Sequence, residues 1–374
     1  MPFPDIVPEL TDDLVRLRAH RADDLDRIVE QSHDPESLRY TTVPRPYGRA
    51  EARGFLDLIE DGWNDPRGRR YWAVTAADDP TGRYLGTIDL RPDATGQVAE
   101  TGFGLHPDGR GRHLMAAALR LTARHFFDGG GRRVYWWANR GNFASWAVAR
   151  ACGFTFHGTL PDHLDHPDGR CDGWVASLVA QDPMTPRTPW LHAPVIEHDG
   201  IRLRPWRDDD GAAIEEPSQA AHLMPARSIL RPDTFATWLQ RRRESAALGS
   251  GVSWCIADAR TDRALGEVLL FTVTGTMDGD HAELGYQVMP SARGRGVART
   301  AARLVAAYAL RPVAEGGLGL RRLVAVTAAD NDASNAVLTG LGFAVWGREP
   351  ATDVLEDGSV SDTLHWHLLP AADG

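Results

Sequence analysis

Glu283-Leu-Gly-Tyr-Gln-Val-Met-Pro-Ser-Ala-Arg293-Gly-Arg-Gly-Val-Ala298 decides the fold, because the chain contains an earlier copy of it. Glu100-Thr-Gly-Phe-Gly-Leu-His-Pro-Asp-Gly-Arg110-Gly-Arg-His-Leu-Met115 lies over it at a constant offset of 183 residues. Downstream, Asn142-Phe-Ala-Ser145 and Gly153-Phe154 lie over Asn331-Asp-Ala-Ser334 and Gly342-Phe343 at an offset of 189, which puts a six-residue insertion in the Gly-rich segment 311–320. Upstream, Val15-Arg-Leu-Arg18 answers Ile201-Arg-Leu-Arg204 at 186, and Trp72-Ala-Val74 answers Trp254-Cys-Ile256 at 182. Offsets that change only at loops describe a duplicated domain rather than a short-period solenoid.

The 374 residues suit two such copies of ordinary domain size. Prolines at 183, 186, 189 and 194 deny the segment between them regular hydrogen bonding, so 183–195 is expected as an extended linker between domains at 1–182 and 196–374. A composition of 43% hydrophobic and 25% charged residues is that of a folded globular protein. The net charge of −10 argues against nucleic acid or an anionic membrane as partner and mildly favours a cationic substrate. Three cysteines without CxxC spacing give neither a disulfide framework nor a zinc site, which fits the cytoplasm. Neither a signal-like N-terminus nor an uncharged apolar run of about 20 residues is present, so a soluble protein is expected.

In the second copy, the pattern predicts strands at 200–205, 252–258, 265–274, 281–288, 322–327 and 360–368, and helices at 208–216, 233–248, 295–310 and 333–341. Several consecutive strands ahead of the alternating strand–helix part imply an α/β domain of the α+β kind, with a mixed sheet. Arg293-Gly-Arg-Gly-Val-Ala298 leaves a strand and opens a helix, where backbone N–H groups and the helix dipole favour an anion. Gly294 and Gly296 let a phosphate approach the backbone closely. The segment is neither a Walker loop nor a Rossmann fingerprint, and on its own such a turn more often carries solvated arginines than a ligand.

Its neighbours overturn that bland reading. Together, Glu283, Gly285 and Tyr286, then Arg293, Gly296 and Ala298, then Asn331, Ser334, Gly342 and Phe343 resemble the GNAT superfamily of N-acetyltransferases. Within it they are most similar to the RimJ/RimL-like group of ribosomal-protein alanine acetyltransferases and their small-molecule relatives. The resemblance covers both copies and implies two tandem domains, each with its fourth and fifth strands splayed to admit the pantetheine arm of acetyl-CoA. It implies that Arg293, Gly294, Arg295, Gly296, Val297 and Ala298 cradle the pyrophosphate. Backbone N–H groups near Gln287, Val288 and Met289 would polarise the thioester carbonyl. Asn331 would bond the pantetheine amides, unless it only forms a turn. Ser334 would stabilise the departing thiolate, and a helix cap is its other reading. The base is Glu283, acting directly or through water, or else an exposed strand carboxylate occupies that position and Asp353, in the hairpin before the last strand, takes the role. A tyrosine that other members carry four residues before the Gly-Phe glycine is absent, since Leu338 and Ala149 stand there.

The first copy has His113 where the second has Gly296, so its phosphate loop is expected to bind CoA weakly or not at all. Val134-Tyr-Trp-Trp137 reads as packed strand rather than an aromatic cage, and Arg241-Arg-Arg243 as a solvated helix face rather than a contact to the adenosine 3′-phosphate. The expected activity is transfer of an acetyl group from acetyl-CoA to a primary amine of a small molecule, without a metal, nucleic acid or membrane. A protein N-terminal amine as acceptor and a non-catalytic CoA-binding or interaction protein are the alternatives. The resemblance is compatible with a homodimer.

Overall fold

The computed structural model describes residues 7–166, 169–217, 228–272, 281–354 and 360–370. The chain divides into two compact units, Met1–Arg187 and Thr188–Gly374. The first contains strands β1 (Leu10–Thr11) and β2 (Val15–Arg18), helices α1 (Leu25–His33), α2 (Pro35–Tyr40) and α3 (Arg49–Asn64), and strands β3 (Arg70–Ala76), β4 (Gly86–Pro92) and β5 (Val98–Leu105). Helix α4 (Leu114–Asp128), β6 (Arg133–Asn139), α5 (Phe143–Ala151), β7 (Thr155–His166) and β8 (Gly169–Val179) complete it. The second repeats the plan with β9 (Ile196–His198), β10 (Ile201–Arg204), α6 (Phe235–Ala247), β11 (Gly251–Asp258), β12 (Ala264–Thr272), β13 (His281–Val288) and α7 (Val297–Leu310). It ends with β14 (Arg322–Ala328), α8 (Asp332–Gly340), β15 (Ala344–Val354) and β16 (Val360–Leu368).

Each unit forms one eight-stranded sheet, in the orders β1-β2-β3-β4-β5-β6-β8-β7 and β9-β10-β11-β12-β13-β14-β16-β15. Neighbours are antiparallel except for β5–β6 and β13–β14, where a helix crosses over between parallel strands. This is the expected mixed sheet. Both faces are covered, so β11 is buried almost throughout instead of alternating. Trp254 and Ile256 point to one face, where Ala301, Ala302, Val305, Ala306 and Ala309 of α7 pack closely because their side chains are small. Cys255 and Ala257 point to the other, against Trp206, Phe235, Trp238 and Leu239.

Repeated Arg-x-Arg sequences explain the turn after the second strand of each unit. Arg18 pairs with Asp24 through two bonds of 2.8 and 2.7 Å, and Arg204 pairs with Asp210 at the same distances, all four residues being buried. Each aspartate also accepts a backbone N–H, from Arg21 or Arg207, which closes the turn and satisfies the buried charge. The proline segment expected as an extended linker is instead anchored within the units. Met184 carbonyl accepts from Arg120, Leu191 N–H donates to Ala246, and the Trp254 indole donates to Pro194 carbonyl at 2.9 Å. Pro194 thus repeats the role of Pro8, whose carbonyl takes the Trp72 indole at 2.9 Å.

Two other expectations change. The polar stretch 208–216 is a short 3-10 turn over Asp208–Ala213. Strand β15 went unforeseen because Pro350 and register shifts at Val345/Gly347 and Glu349/Asp353 interrupt its alternation. The insertion falls between α7 and β14, where a 3-10 turn at Val313–Glu315 lengthens the connection relative to that between α4 and β6. No helix among the described residues is long and apolar enough to cross a membrane.

Candidate active site

Among the described residues, strands β13 and β14 pair at His281–Arg322, Ala282–Leu323 and Glu283–Val324 and then part. The gap opens onto a cavity of about 200 Å³ whose wall includes Glu283, Tyr286, Ala325, Val326 and Ser334. A second cavity of about 580 Å³ runs along the start of α7, past Val288, Arg293, Gly294, Gly296 and Ala298. Tyr286, Asn331 and Ser334 line both, which places them at the junction.

Gly294 and Gly296 both adopt left-handed backbone, with φ of 69° and 75°, and a Cβ built on either would meet nothing within 4 Å. Glycine adopts this backbone without strain, and with no Cβ it leaves the cavity side of the loop open. Gly296 is the N-cap of α7, so the unpaired N–H groups of the first turn, at Val297 and Ala298, border the cavity with the positive end of the helix dipole. Arg293 donates to Val288 carbonyl, Arg295 is exposed, and Arg299 reaches Gly340 carbonyl from the cavity wall. An open glycine cradle at a helix N-terminus, joined to a long cavity, fits the pyrophosphate and arm of a CoA thioester.

Gln287, Val288 and Met289 all line that cavity, yet they do not offer three equivalent donors. Met289 N–H is spent on Leu265 carbonyl at 2.9 Å. Alternation along an antiparallel strand turns Gln287 N–H the same way, toward β12, and leaves Val288 N–H facing the gap. The expected polarising role therefore narrows to Val288. The Gln287 side chain serves a different purpose: its amide donates to Ser228 carbonyl and Glu267, and its oxygen accepts from Leu230 N–H. Glu267, fully buried, also takes Ser253 and two bonds of 2.7 and 3.0 Å from Arg242, whose guanidinium lies over the Trp238 ring. Arg242 thus points into the wall, which corrects the solvated-face reading for that arginine, whereas Arg241 is exposed and Arg243 pairs with Asp208 at the surface.

Asn331, not Ser334, is the N-cap of α8: its Oδ1 accepts Ser334 N–H at 3.1 Å. Ser334 Oγ lies 2.8 Å from the Tyr286 hydroxyl. Burial pushes the phenol pKa of Tyr286 up, so it stays protonated as a donor. The sequence held the signal, a tyrosine in Glu-x-Gly-Tyr, but not the cross-element contact. Glu283 sits half-buried at the last paired position before the gap, opposite Phe271 on β12, with no hydrogen bond or ion pair among the described residues. Burial raises its pKa, against a smaller lowering by the nearby His365 charge. Asp353 pairs through its backbone with Ser361 near the end of the hairpin, and its side chain lies outside the described residues. No group of three His, Cys, Asp or Glu side chains placed to hold a metal ion occurs among the described residues.

The first unit fills the corresponding positions differently. His113 takes the left-handed N-cap of α4 with φ 59°, and Arg110 is tied to Asp34. Trp136, 1% exposed, stands at the place of Ala325 and sends its indole N–H to Ser145 Oγ at 2.9 Å. Phe103 replaces Tyr286, and Glu100 faces Arg91 across the ladder, 3.7 Å away.

Residues 15–155 and again 201–344 match the family described as acetyltransferase (GNAT) domain, together most of the chain. Among curated proteins, the uncharacterised N-acetyltransferase YoaA of Bacillus subtilis (strain 168) is 29% identical over 160 residues, covering 40% of this chain and 82% of its own. Among solved structures, Mycobacterium smegmatis RimJ in complex with CoA-disulfide is 15% identical with a TM-score of 0.42, over 48% of this chain and 90% of that one. Ribosomal-protein-S5-alanine acetyltransferase from Vibrio fischeri is 19% identical with a TM-score of 0.41, over 48% of this chain and 98% of that one. The chain belongs to the GNAT acetyltransferase family, carries its domain twice, and is an acyl-CoA-dependent N-acetyltransferase.

Proposed function

We propose that the second unit transfers the acetyl group of acetyl-CoA to a primary amine of a small molecule, and that the first unit does not turn over. The observation that carries this reading is the unpartnered, half-buried Glu283 at the mouth of the splay, with the Tyr286–Ser334 pair on the cavity wall behind it. A carboxyl whose pKa is raised by burial is a better base for an ammonium than an exposed one. Glu283 takes a proton from the amine, directly or through water. The nitrogen then forms its bond to the thioester carbonyl carbon as the carbon–sulfur bond breaks. Val288 N–H faces the carbonyl oxygen, and the Tyr286 hydroxyl, bonded to Ser334, gives its proton to the leaving sulfur. The second proton that the nitrogen sheds as the amide forms restores the phenol through solvent, and Glu283 releases its proton to water. Gly294, Gly296 and the first turn of α7 hold the phosphates, while Asn331 borders the arm. The 200 Å³ cavity suits a small amine body.

Thiol release from acetyl-CoA by the full chain, measured over a panel of small primary amines and N-terminal peptides, tests this reading. Small amines are expected to be acetylated, with Glu283→Gln lowering kcat/KM about a hundredfold. Turnover of peptides alone would make a protein N-terminus the acceptor. Bound CoA without thiol release across the panel would replace the transferase reading with a non-catalytic one.

A further inference from the structure

The cavity wall continues outward on the face of the sheet that carries Glu283. Val326 lines the 200 Å³ cavity and is 45% exposed. Its partner across β14–β16 is His365, which in turn lies opposite Gly347 on β15. Strand alternation from Val345, which opposes Trp366, puts Trp346 on this same face, with its ring centroid 5.3 Å from that of His365 and 58% of the residue exposed. The Glu349 carboxylate lies 3.3 Å from His365 Nε2 and is itself largely exposed.

An exposed indole adds little to the core, and its π-face attracts cations and stacks on flat rings. Here it stands beside one exposed carboxylate and in line, through Val326, with a second at Glu283. The first unit has no such platform: Trp137, at the place of Val326, stacks on His163 at 4.6 Å. Val175 replaces His365, and His157, at the place of Trp346, is bonded to Ser177 at 2.7 Å.

We infer that Trp346, Val326 and Glu349 form an acceptor subsite for a cationic arylalkylamine, holding its ring while the amino group reaches Glu283. The subsite rests on the second unit being the transferase and narrows its acceptor. Two acidic groups at either end select against an acceptor that carries its own carboxylate.

Calorimetric titration of phenethylamine into the full chain saturated with CoA tests the subsite without turnover. Trp346→Ala is expected to weaken binding about tenfold, Trp346→Phe to restore most of it, and Glu349→Gln to weaken it about threefold. Phenylalanine, with a carboxylate beside its amine, is expected to bind at least about tenfold more weakly than phenethylamine. No binding by the unaltered chain, or binding indifferent to Trp346→Ala, overturns the inference. Phenethylamine that binds through Trp346 but releases no thiol with acetyl-CoA leaves the subsite standing and overturns the proposed reaction instead.

Discussion

In the first unit a tryptophan stands on the strand beside the splay with an alanine across the ladder, and in the second unit the two have changed places. Trp136 pairs with Ala176, whereas Ala325 pairs with Trp366. Cross-strand partners share a face of the sheet, so the two arrangements place the same side-chain volume one strand apart. The core tolerates either, because total volume is kept. The consequence for the cleft is large. Trp136 spans from β6 to Ser145 on α5, through the space that Ala325 leaves as cavity, while the Trp366 indole turns away to Thr327 at 2.8 Å. Duplication preserved what holds the fold, such as the Arg18–Asp24 and Arg204–Asp210 pairs, and altered a handful of side chains that face the gap.

The strongest way to break this comparison is to exchange the arrangements. Ala325→Trp combined with Trp366→Ala copies the first unit into the second and is expected to fold, yet to lose more than about a hundredfold in kcat/KM. Circular dichroism and thiol release report the two outcomes separately. His113→Gly alone should not give the chain a second CoA, because Trp136 still stands in the cleft of the first unit. Native mass spectrometry should count one CoA per chain before and after that change, and a count of two in the unaltered protein would refute the asymmetry.

A smaller effect is expected from making the second unit resemble the first at the thiolate. Tyr286→Phe installs the residue found at Phe103 and removes the hydroxyl bonded to Ser334. The expected result is a fall of about tenfold in kcat with little change in the KM for acetyl-CoA, since the phenol acts on the leaving sulfur rather than on binding. An unchanged kcat would leave Ser334 as the donor by itself.

These residues differ in how far the sequence alone discloses them. The phosphate loop was legible because left-handed backbone at Gly294 and Gly296 leaves a mark in residue type, and the 183-residue offset exposed His113 as a departure. Glu283 and Ser334 were legible as motif positions. The Trp136 indole on Ser145 was not, since it depends on a contact between a strand and a helix that no local pattern encodes. Arg242 shows the same limit: in a run of three arginines its direction is set by Glu267, a buried partner on a strand 25 residues further along. Strand β15 was hidden by its own irregularities, the register shifts at Val345/Gly347 and Glu349/Asp353.

The smallest predicted difference concerns stability, and its sign follows from burial. Glu283 has its pKa raised in the folded protein, so the native state holds that proton more tightly than the unfolded chain does. Stability is therefore unaffected below the unfolded value of about 4.3, and it declines as pH rises from there through the folded pKa, where the buried carboxyl must ionise. Glu283→Gln removes this cost. It is expected to raise the denaturation midpoint by roughly 1–3 °C near neutral pH and by nothing at pH values below about 4, while abolishing the acid limb of the pH–rate profile. Glu100→Gln supplies the contrast. That carboxylate is half-exposed beside Arg91, so its loss should leave both the midpoint and the turnover essentially unchanged. Equal stabilisation by the two substitutions would mean that the environments of Glu283 and Glu100 are alike, and the division of labour between the units would lose its electrostatic basis.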